Sequence, residues 1–240
     1  MTENGLDVAF RPVRSGNAFE ETVERLLQAI KLGVVGHGEK LPPERDLATR
    51  LGISRVTLRE AIRALQDAGY LDVRRGRYGG AFVTYRPPPP TMGDLRRLVS
   101  HMAPGELADA LVYRMAIEVG SAQALACAEL RPEQSATLRR RLRAVNTANP
   151  ADYRRMDTAF HLAIAELTGS PLLVAASADA RMRVTDLLNA IPVLDVNIAH
   201  AAVQHDAIVA AILAGDAEAA RRAVAEHLEG TAALLRGFLA

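Results

Sequence analysis

Residues 41–83, which read LPPERDLATRLGISRVTLREAIRALQDAGYLDVRRGRYGGAFV, decide the fold of the N-terminal part of the chain. The spacing of their apolar residues predicts a short helix over 44–51 and a second helix over 54–68, with a glycine at the turn between them. Two short strands over 71–75 and 81–85 follow, and glycines supply the turn between these strands. Two helices joined by a tight turn and followed by a β-hairpin are typical of a winged helix-turn-helix.

The helix predicted over 54–68 carries an apolar stripe and a separate basic stripe. The apolar stripe, which we expect to be buried, consists of Leu58, Ala61, Ile62 and Leu65. The basic stripe consists of Arg55, Arg59 and Arg63. Arginines on the N-terminal half of such a helix can contact guanine edges and phosphates in the major groove. Three arginines alone would more often form a solvated charged face, but the turn before them and the hairpin after them favour DNA binding.

A proline-rich segment over 86–93 is predicted to be a semi-rigid linker, because consecutive prolines donate no backbone hydrogen bonds and prefer an extended conformation. Before the linker, a flexible N-terminus over 1–18 precedes a winged helix-turn-helix domain over 19–85. After the linker, helical periodicity interrupted by Pro and Gly predicts seven helices with short loops over 94–240, which is typical of an antiparallel bundle. These helices are expected at about 94–102, 106–130, 133–147, 151–168, 171–190, 197–214 and 216–238. The fold class is therefore mainly α, with a winged helix-turn-helix followed by an all-α bundle.

Composition and charge limit the class of protein. Of the 240 residues, 49% are hydrophobic and 24% are charged, which is enough to build the cores of two domains. No stretch of 18 residues lacks a charge, the N-terminus does not resemble a signal peptide, and Cys127 is the single cysteine. We therefore expect a cytoplasmic protein without a membrane span. Residues 1–90 hold 14 Lys and Arg against 11 Asp and Glu, whereas residues 91–240 hold 15 against 17. The positive first part favours an anionic partner.

Three histidines and one aspartate of the predicted bundle are candidates for a metal site. Asp157 and His161 are spaced i, i+4 and therefore project from one face of one helix. His205 and His227 lie on the apolar stripes of the last two helices, 10 and 11 residues from the turn that joins them. At about 1.5 Å per residue, the two rings stand at nearly the same level of a helical hairpin. A buried cation would account for this cluster, and hydrogen-bonded core histidines are the alternative.

The motifs LP-x-ER-x-LA and SR-x-T-x-RE-A, followed by a glycine-bearing hairpin, resemble the DNA-binding domain of the GntR family of bacterial transcription regulators. The resemblance covers about residues 19–85. It implies that the following residues contact DNA: Arg45, Arg55, Thr57, Arg59, Arg75 and Gly76. One departure is Pro43, which stands where the family often has a capping serine; proline is acceptable at a helix start.

Residues 94–238 resemble the ligand-binding helical domain of the FadR-type subfamily, called FCD. In that family an Asp-x3-His helix and two later histidines bind a divalent metal, and the sequences DTAFH and QHDAIVAAILAGDAEAARRAVAEHL match those positions. The resemblance implies a metal ion on Asp157, His161, His205 and His227. Nitrogen and oxygen ligands suit Zn²⁺, Ni²⁺ or Mn²⁺. Open coordination positions can accept the carboxylate of an effector, and Arg114 matches a family arginine that faces the cavity.

The interpretation that accounts for both halves is a transcription regulator, not an enzyme. We expect a homodimeric repressor that binds a pseudo-palindromic operator and releases it when a small carboxylate occupies the metal site. A metal-dependent hydrolase is the first alternative, with Glu166 as the available general base. An architectural DNA-binding protein whose bundle only dimerises is the second. Arg181 and His200 are further, weaker candidates for the effector site.

Overall fold

The computed structural model describes residue 10 and residues 18–91 and 93–239. The chain divides into two compact units, Met1–Pro87 and Pro88–Ala240, and the division falls among the four consecutive prolines. The predicted flexible N-terminus, residues 1–18, lies outside the described residues except for Phe10 and Ala18. Phe10 is buried in the core of the first unit.

Over its described residues, the first unit consists of three helices and a two-stranded antiparallel sheet. Its elements are α1 (Ala18–Lys31), α2 (Glu44–Leu51), α3 (Arg55–Asp67), β1 (Leu71–Arg74) and β2 (Gly80–Val83). The register pairs Leu71 with Val83 and Arg74 with Gly80. This order of helix, turn, helix and hairpin confirms the predicted winged helix-turn-helix.

The turn between α2 and α3 is built by local sequence. Gly52 adopts the left-handed conformation, with φ of 67°, which suits a residue without Cβ. Ser54 caps α3, because its hydroxyl accepts a hydrogen bond of 3.0 Å from the backbone N–H of Thr57. Pro43 begins α2 without any side-chain cap. The apolar stripe of α3 is buried as predicted, and Arg55 and Arg59 are exposed.

The second unit is all-helical over the described residues. Its helices are α4 (Asp94–Ser100), α5 (Glu106–Ala126), α6 (Pro132–Asn146), α7 (Pro150–Leu167), α8 (Pro171–Asn189), α9 (Asp195–Leu213) and α10 (Ala217–Leu239). Helix α5 is central, since it packs against α7, α8, α9 and α10. This arrangement confirms the predicted helical bundle and places four helices around the middle of α5.

Three helix boundaries of the second unit differ from the sequence prediction by two residues or more, and the first of them is the end of α4, which lies at Ser100 and not at residue 102. Helix α5 was expected to continue to residue 130 but ends at Ala126, and Arg131 is extended with ψ of 154°. The residue before a proline disfavours the helical conformation, so Pro132 forces a break at Arg131. Helix α9 begins at Asp195, two residues earlier than expected, because the carboxylate of Asp195 is favourable in the first helical turn.

Helix α9 is the one described helix that is long and apolar enough to cross a membrane by length and composition. Core helices of globular proteins pass the same test. One face of α9 is buried inside the bundle, including His205, Ile208 and Ile212. Packing in the core therefore accounts for the apolar residues on this face of α9.

Candidate metal centre and DNA-reading surface

The four predicted metal ligands converge inside the second unit. Asp157 and His161 lie on α7, His205 on α9 and His227 on α10. One potential ligand atom from each residue lies within 4.8 Å of the corresponding atoms of the other three. The three imidazoles are at most 5% exposed. The helical hairpin of α9 and α10 therefore brings its two histidines to one level, as the sequence predicted.

Three of the distances between the potential ligand atoms are close to the separation of two ligands on one small cation. His161 Nε2 lies 3.1 Å from His227 Nε2 and 3.7 Å from Asp157 Oδ1. His205 Nε2 lies 3.4 Å from the same Asp157 oxygen. A tetrahedral ion with bonds of about 2.1 Å separates its ligands by about 3.4 Å. The three separations therefore bracket the spacing that such an ion requires.

Neighbouring side chains fix the tautomers of two histidines. His161 Nδ1 lies 2.7 Å from Glu118 Oε2, and His227 Nδ1 lies 3.0 Å from Gln204 Oε1. Because these oxygens accept hydrogen bonds, both Nδ1 atoms donate and both Nε2 atoms carry a lone pair. Two lone pairs then face each other at 3.1 Å. This contact is repulsive unless a cation lies between the two nitrogens.

His205 is the buried histidine whose hydrogen-bonding capacity stays unused. It is fully buried, and neither of its ring nitrogens has a hydrogen-bond partner among the described residues. The approach of its Nε2 to Asp157 is too poorly aligned to form a hydrogen bond. A buried polar group without a partner is costly, and coordination of a cation would satisfy one of the nitrogens. Hydrogen-bonded core histidines, the alternative left open by the sequence, therefore do not describe His205.

A network of charged side chains surrounds the cluster. Arg114 Nε lies 2.9 Å from Glu118 Oε1, and Arg181 bridges Glu118 and Asp157 at 3.1 and 2.5 Å. Burial would raise the pKa of Glu118, but Arg114 and Arg181 outweigh burial and hold that pKa well below its usual range. Burial would also raise the pKa of Asp157, but the guanidinium of Arg181 helps to hold that pKa well below its usual range. Both carboxylates are therefore ionised at neutral pH.

Burial lowers the pKa of His161, and burial together with the other two histidines holds the pKa of His227 well below its usual range. Both imidazoles are therefore neutral at neutral pH. Neutral imidazoles and an ionised carboxylate are the protonation states that bind a divalent cation. The two oxygens of Asp157 have different neighbours. Oδ1 faces His161 and His205, and Oδ2 pairs with Arg181. The site is thus electrostatically prepared for a metal.

The sequence missed two residues of this site, Glu118 and Gln204. Glu118 lies one turn after Arg114 in the otherwise apolar run LVYRMAIEVG, and two opposite charges at i, i+4 inside an apolar helix indicate a buried pair. Gln204 directly precedes His205, but nothing in the sequence around it indicates a role in the site, because its partner His227 lies on another helix. Arg181, a weaker candidate in the sequence, proves to be a central ion-pairing residue of the network.

A cavity of about 250 Å³ adjoins the cluster. Its wall includes Asp157 and His227 from the cluster and Arg114 from the charged network. The wall also includes Arg154, Leu188, Asn197, Ile198 and Leu234. His200 also lines the cavity, whereas Arg181 and Glu166 do not. Glu166, the proposed base of the hydrolase alternative, therefore belongs neither to the cavity wall nor to the four-residue cluster.

The predicted DNA-contacting residues share exposed positions on α2, α3 and the wing. Arg45, Arg55, Arg59, Arg75 and Gly76 are exposed, and Thr57 is half-buried. Arg59 Nε donates to Glu44 Oε2 at 2.7 Å, which orients its guanidinium. Thr57 lies 2.9 Å from the capping hydroxyl of Ser54. The arginines therefore present a basic surface on the N-terminal half of α3.

A winged helix-turn-helix with an exposed arginine stripe, joined to a helical unit with a buried cluster of potential metal ligands, defines a DNA-binding regulator with a sensing domain. Comparison with known families places the chain within this class. Residues 19–83 match the family described as bacterial regulatory proteins, gntR family, and residues 109–230 match the FCD domain. The chain belongs to the GntR family, in its FadR-like subfamily with a C-terminal FCD domain.

Individual relatives agree with this assignment. The chain is 31% identical to RmpR of Mycobacterium gastri, a candidate HTH-type transcriptional regulator, over 86% of this chain and 76% of the relative. It is 29% identical to the transcriptional repressor NanR of Escherichia coli K12, over 98% and 90% of the two chains. The solved structure of McbR/YncC from E. coli covers 93% of this chain with a TM-score of 0.53 and 23% identity, and it shares the fold.

These relatives are transcription regulators, which confirms that the chain is a regulator and not an enzyme. The chain binds DNA through its GntR helix-turn-helix. The hydrolase alternative is therefore wrong. Its only motivation was the three-histidine geometry, which the sensing domain of this family accounts for.

Proposed function

We propose that the chain is a homodimeric cytoplasmic repressor whose affinity for a pseudo-palindromic operator is controlled by a small carboxylate bound at a metal site. The convergence of four potential ligand atoms beside a cavity, three of them on buried imidazoles, is the observation that carries this proposal. Zn²⁺, Ni²⁺ and Mn²⁺ all suit three imidazoles and one carboxylate. A bound ion would supply open coordination positions and positive charge to an acidic ligand.

The charge balance of the site favours an anionic effector. Arg114 and Arg181 carry two positive charges, Glu118 and Asp157 carry two negative charges, and the imidazoles His161 and His227 are neutral. A divalent ion would therefore leave the buried site with an excess of two positive charges. Arg114 Nη1 is buried without a hydrogen-bond partner among the described residues. A carboxylate would reduce the excess charge and accept from this guanidinium.

The winged helix-turn-helix supplies the operator contacts in this proposal. Arg55 and Arg59 would read guanine edges or clamp phosphates from the N-terminal half of α3, with Thr57 beside them. Arg45 on α2 would contact phosphate, and the wing would contribute Arg75 and the backbone of Gly76. Two chains related by a two-fold axis would read the two half-sites of a palindrome.

The proposal is tested on an operator selected from random DNA duplexes by the full chain. The dissociation constant is measured by fluorescence anisotropy with zinc-loaded protein, with and without a short-chain carboxylate such as valerate. We expect the carboxylate to weaken operator binding by about 5–150-fold, the range of ordinary allosteric coupling. Chelation of the metal should abolish the response. A response that is equal with and without metal would contradict the proposed site.

Replacing Arg55 or Arg59 by alanine should weaken operator binding by about 1–3 kcal/mol where the arginine contacts a guanine bidentately. Both arginines are exposed, so the folded structure should be unaffected. The measurement is the same anisotropy titration at one fixed salt concentration, since phosphate contacts make the affinity depend on salt.

Arg139→Ala is the matched control, because Arg139 is an exposed helical arginine of the second unit. Its operator affinity should equal that of the unmodified chain. Unchanged affinities for both Arg55→Ala and Arg59→Ala would show that α3 is not the reading helix.

A further inference from the structure

Arg154 adds a second guanidinium, besides that of Arg114, to the wall of the cavity beside the histidine cluster. Arg154 precedes Asp157 by three residues on α7, so both side chains lie on the same face of the helix, and both line the cavity. Arg154 Nε is shielded from solvent and has no hydrogen-bond partner among the described residues. Burial lowers the pKa of Arg154 even though Asp157 acts in the opposite direction. The Nε–H group of Arg154 is thus held in the wall without an acceptor among the described residues.

Three shielded atoms of the cavity wall lack a hydrogen-bond partner among the described residues, and all three are donors. They are Arg114 Nη1, Arg154 Nε and Asn197 Nδ2. A buried donor without an acceptor loses the hydrogen bond that it makes to water in the unfolded chain. A ligand that fills this cavity is therefore expected to be rich in acceptors.

The charge balance at the cavity also favours a ligand with anionic groups. The four ionised side chains of the cluster network balance one another, so a divalent ion and Arg154 together would contribute three uncompensated positive charges. One carboxylate would leave two of these charges, and a second anionic group would leave one. The apolar side chains of Leu188, Ile198 and Leu234 also line the cavity and suit an aliphatic spacer.

Resting on the proposed function, we propose that the effector is a small dianion with its two anionic groups joined by a short aliphatic spacer. One carboxylate would coordinate the metal and accept a hydrogen bond from Arg114. The second anionic group would accept hydrogen bonds from Arg154 and Asn197. The cavity of about 250 Å³ lies below the range of about 300–1,000 Å³ that holds drug-sized ligands, so the molecule is of small-metabolite size. Arg154 and Asn197 then select dianions over monocarboxylates of equal length.

The test is isothermal titration calorimetry of the zinc-loaded full chain with three probes of similar length. Valerate carries one carboxylate, glutarate carries two, and 3-phosphonopropionate carries one carboxylate and one phosphonate. We expect at least one of the two dianions to bind about tenfold more tightly than valerate or better, the usual gain from a charge-assisted hydrogen bond. Preference for glutarate would identify a second carboxylate, and preference for the phosphonate would identify a phosphate-like group. Dianions that bind no better than valerate would overturn the inference.

Arg154→Gln should remove the preference for the dianion while leaving the affinity for valerate within about twofold, a difference below one ordinary hydrogen bond. Arg155→Gln is the matched control, since Arg155 is the next residue of α7 and does not line the cavity. Zinc content, measured by elemental analysis, should be the same in all three proteins. A preference that persists in Arg154→Gln, or disappears equally in Arg155→Gln, would overturn the inference. Valerate binding without any dianion preference would leave the proposed function intact, whereas no binding of any probe would contradict both.

Discussion

His161→Ala should lower the affinity of the chain for Zn²⁺ by more than about 100-fold, because loss of an outer-shell partner of a metal ligand already costs about 10–100-fold. His161 contributes the Nε2 atom that lies 3.1 Å from His227 Nε2 and 3.7 Å from Asp157 Oδ1. Its removal would leave three ligand atoms and a space the size of an imidazole among them. The affinity is measured by competition with a chromophoric chelator of known zinc affinity.

Thermal unfolding provides an independent measure of the same effect. Free zinc at 100 times its dissociation constant should stabilise the unmodified chain by about 2.7 kcal/mol, since the ion binds only the folded state. In His161→Ala the same zinc concentration should give almost no stabilisation. The control is His101→Ala, which removes an exposed histidine of α4's C-terminal end and should keep the full response. An unchanged zinc response in His161→Ala would remove His161 from the site.

Local signals were sufficient to predict most of the fold. Gly52, Ser54 and the stripe of Leu58 and Leu65 act within one or two helical turns, so their consequences follow from spacing alone. The breaks at Pro132 and Gly215 likewise depend on backbone chemistry. The prediction failed at the end of α5, which ends at Ala126. Pro132 restricts only Arg131, and residues 127–130 contain neither Gly nor Pro that would indicate the earlier end.

The metal ligands were predictable because two regular features fixed them. Asp157 and His161 are one turn apart on one helix, and the short turn between α9 and α10 sets the relative level of their histidines. Glu118 was not predicted as part of the site, because its contact with His161 depends on how α5 packs against α7. That packing angle is a tertiary property that helical periodicity does not determine. The same reason applies to Arg154, whose position in the cavity wall needs the packed bundle.

Glu118→Leu should lower the free energy of unfolding of the metal-free protein by about 3–5 kcal/mol, the usual cost of removing one partner from a buried ion pair. The carboxylate of Glu118 pairs with Arg114 and is one of two acidic partners of Arg181, and both arginine side chains are 3% exposed. Without Glu118, Arg181 keeps Asp157, whereas Arg114 becomes a buried cation without an acceptor. The measurement is urea unfolding followed by circular dichroism in the presence of a chelator.

The double variant Glu118→Leu/Arg114→Leu separates the cost of an unpaired charge from the cost of altered packing. A buried pair replaced on both sides by apolar residues is often near neutral in stability, so the double variant should be more stable than Glu118→Leu alone. Glu218→Leu, which removes an exposed carboxylate from a surface ion pair, should leave the unfolding midpoint almost unchanged. If the double variant were as unstable as the single one, packing around Glu118 would account for the loss. In that case the ion pairs of Glu118 with Arg114 and Arg181 would not be the interactions that stabilise the packing of α5 against α8 beside the metal ligands.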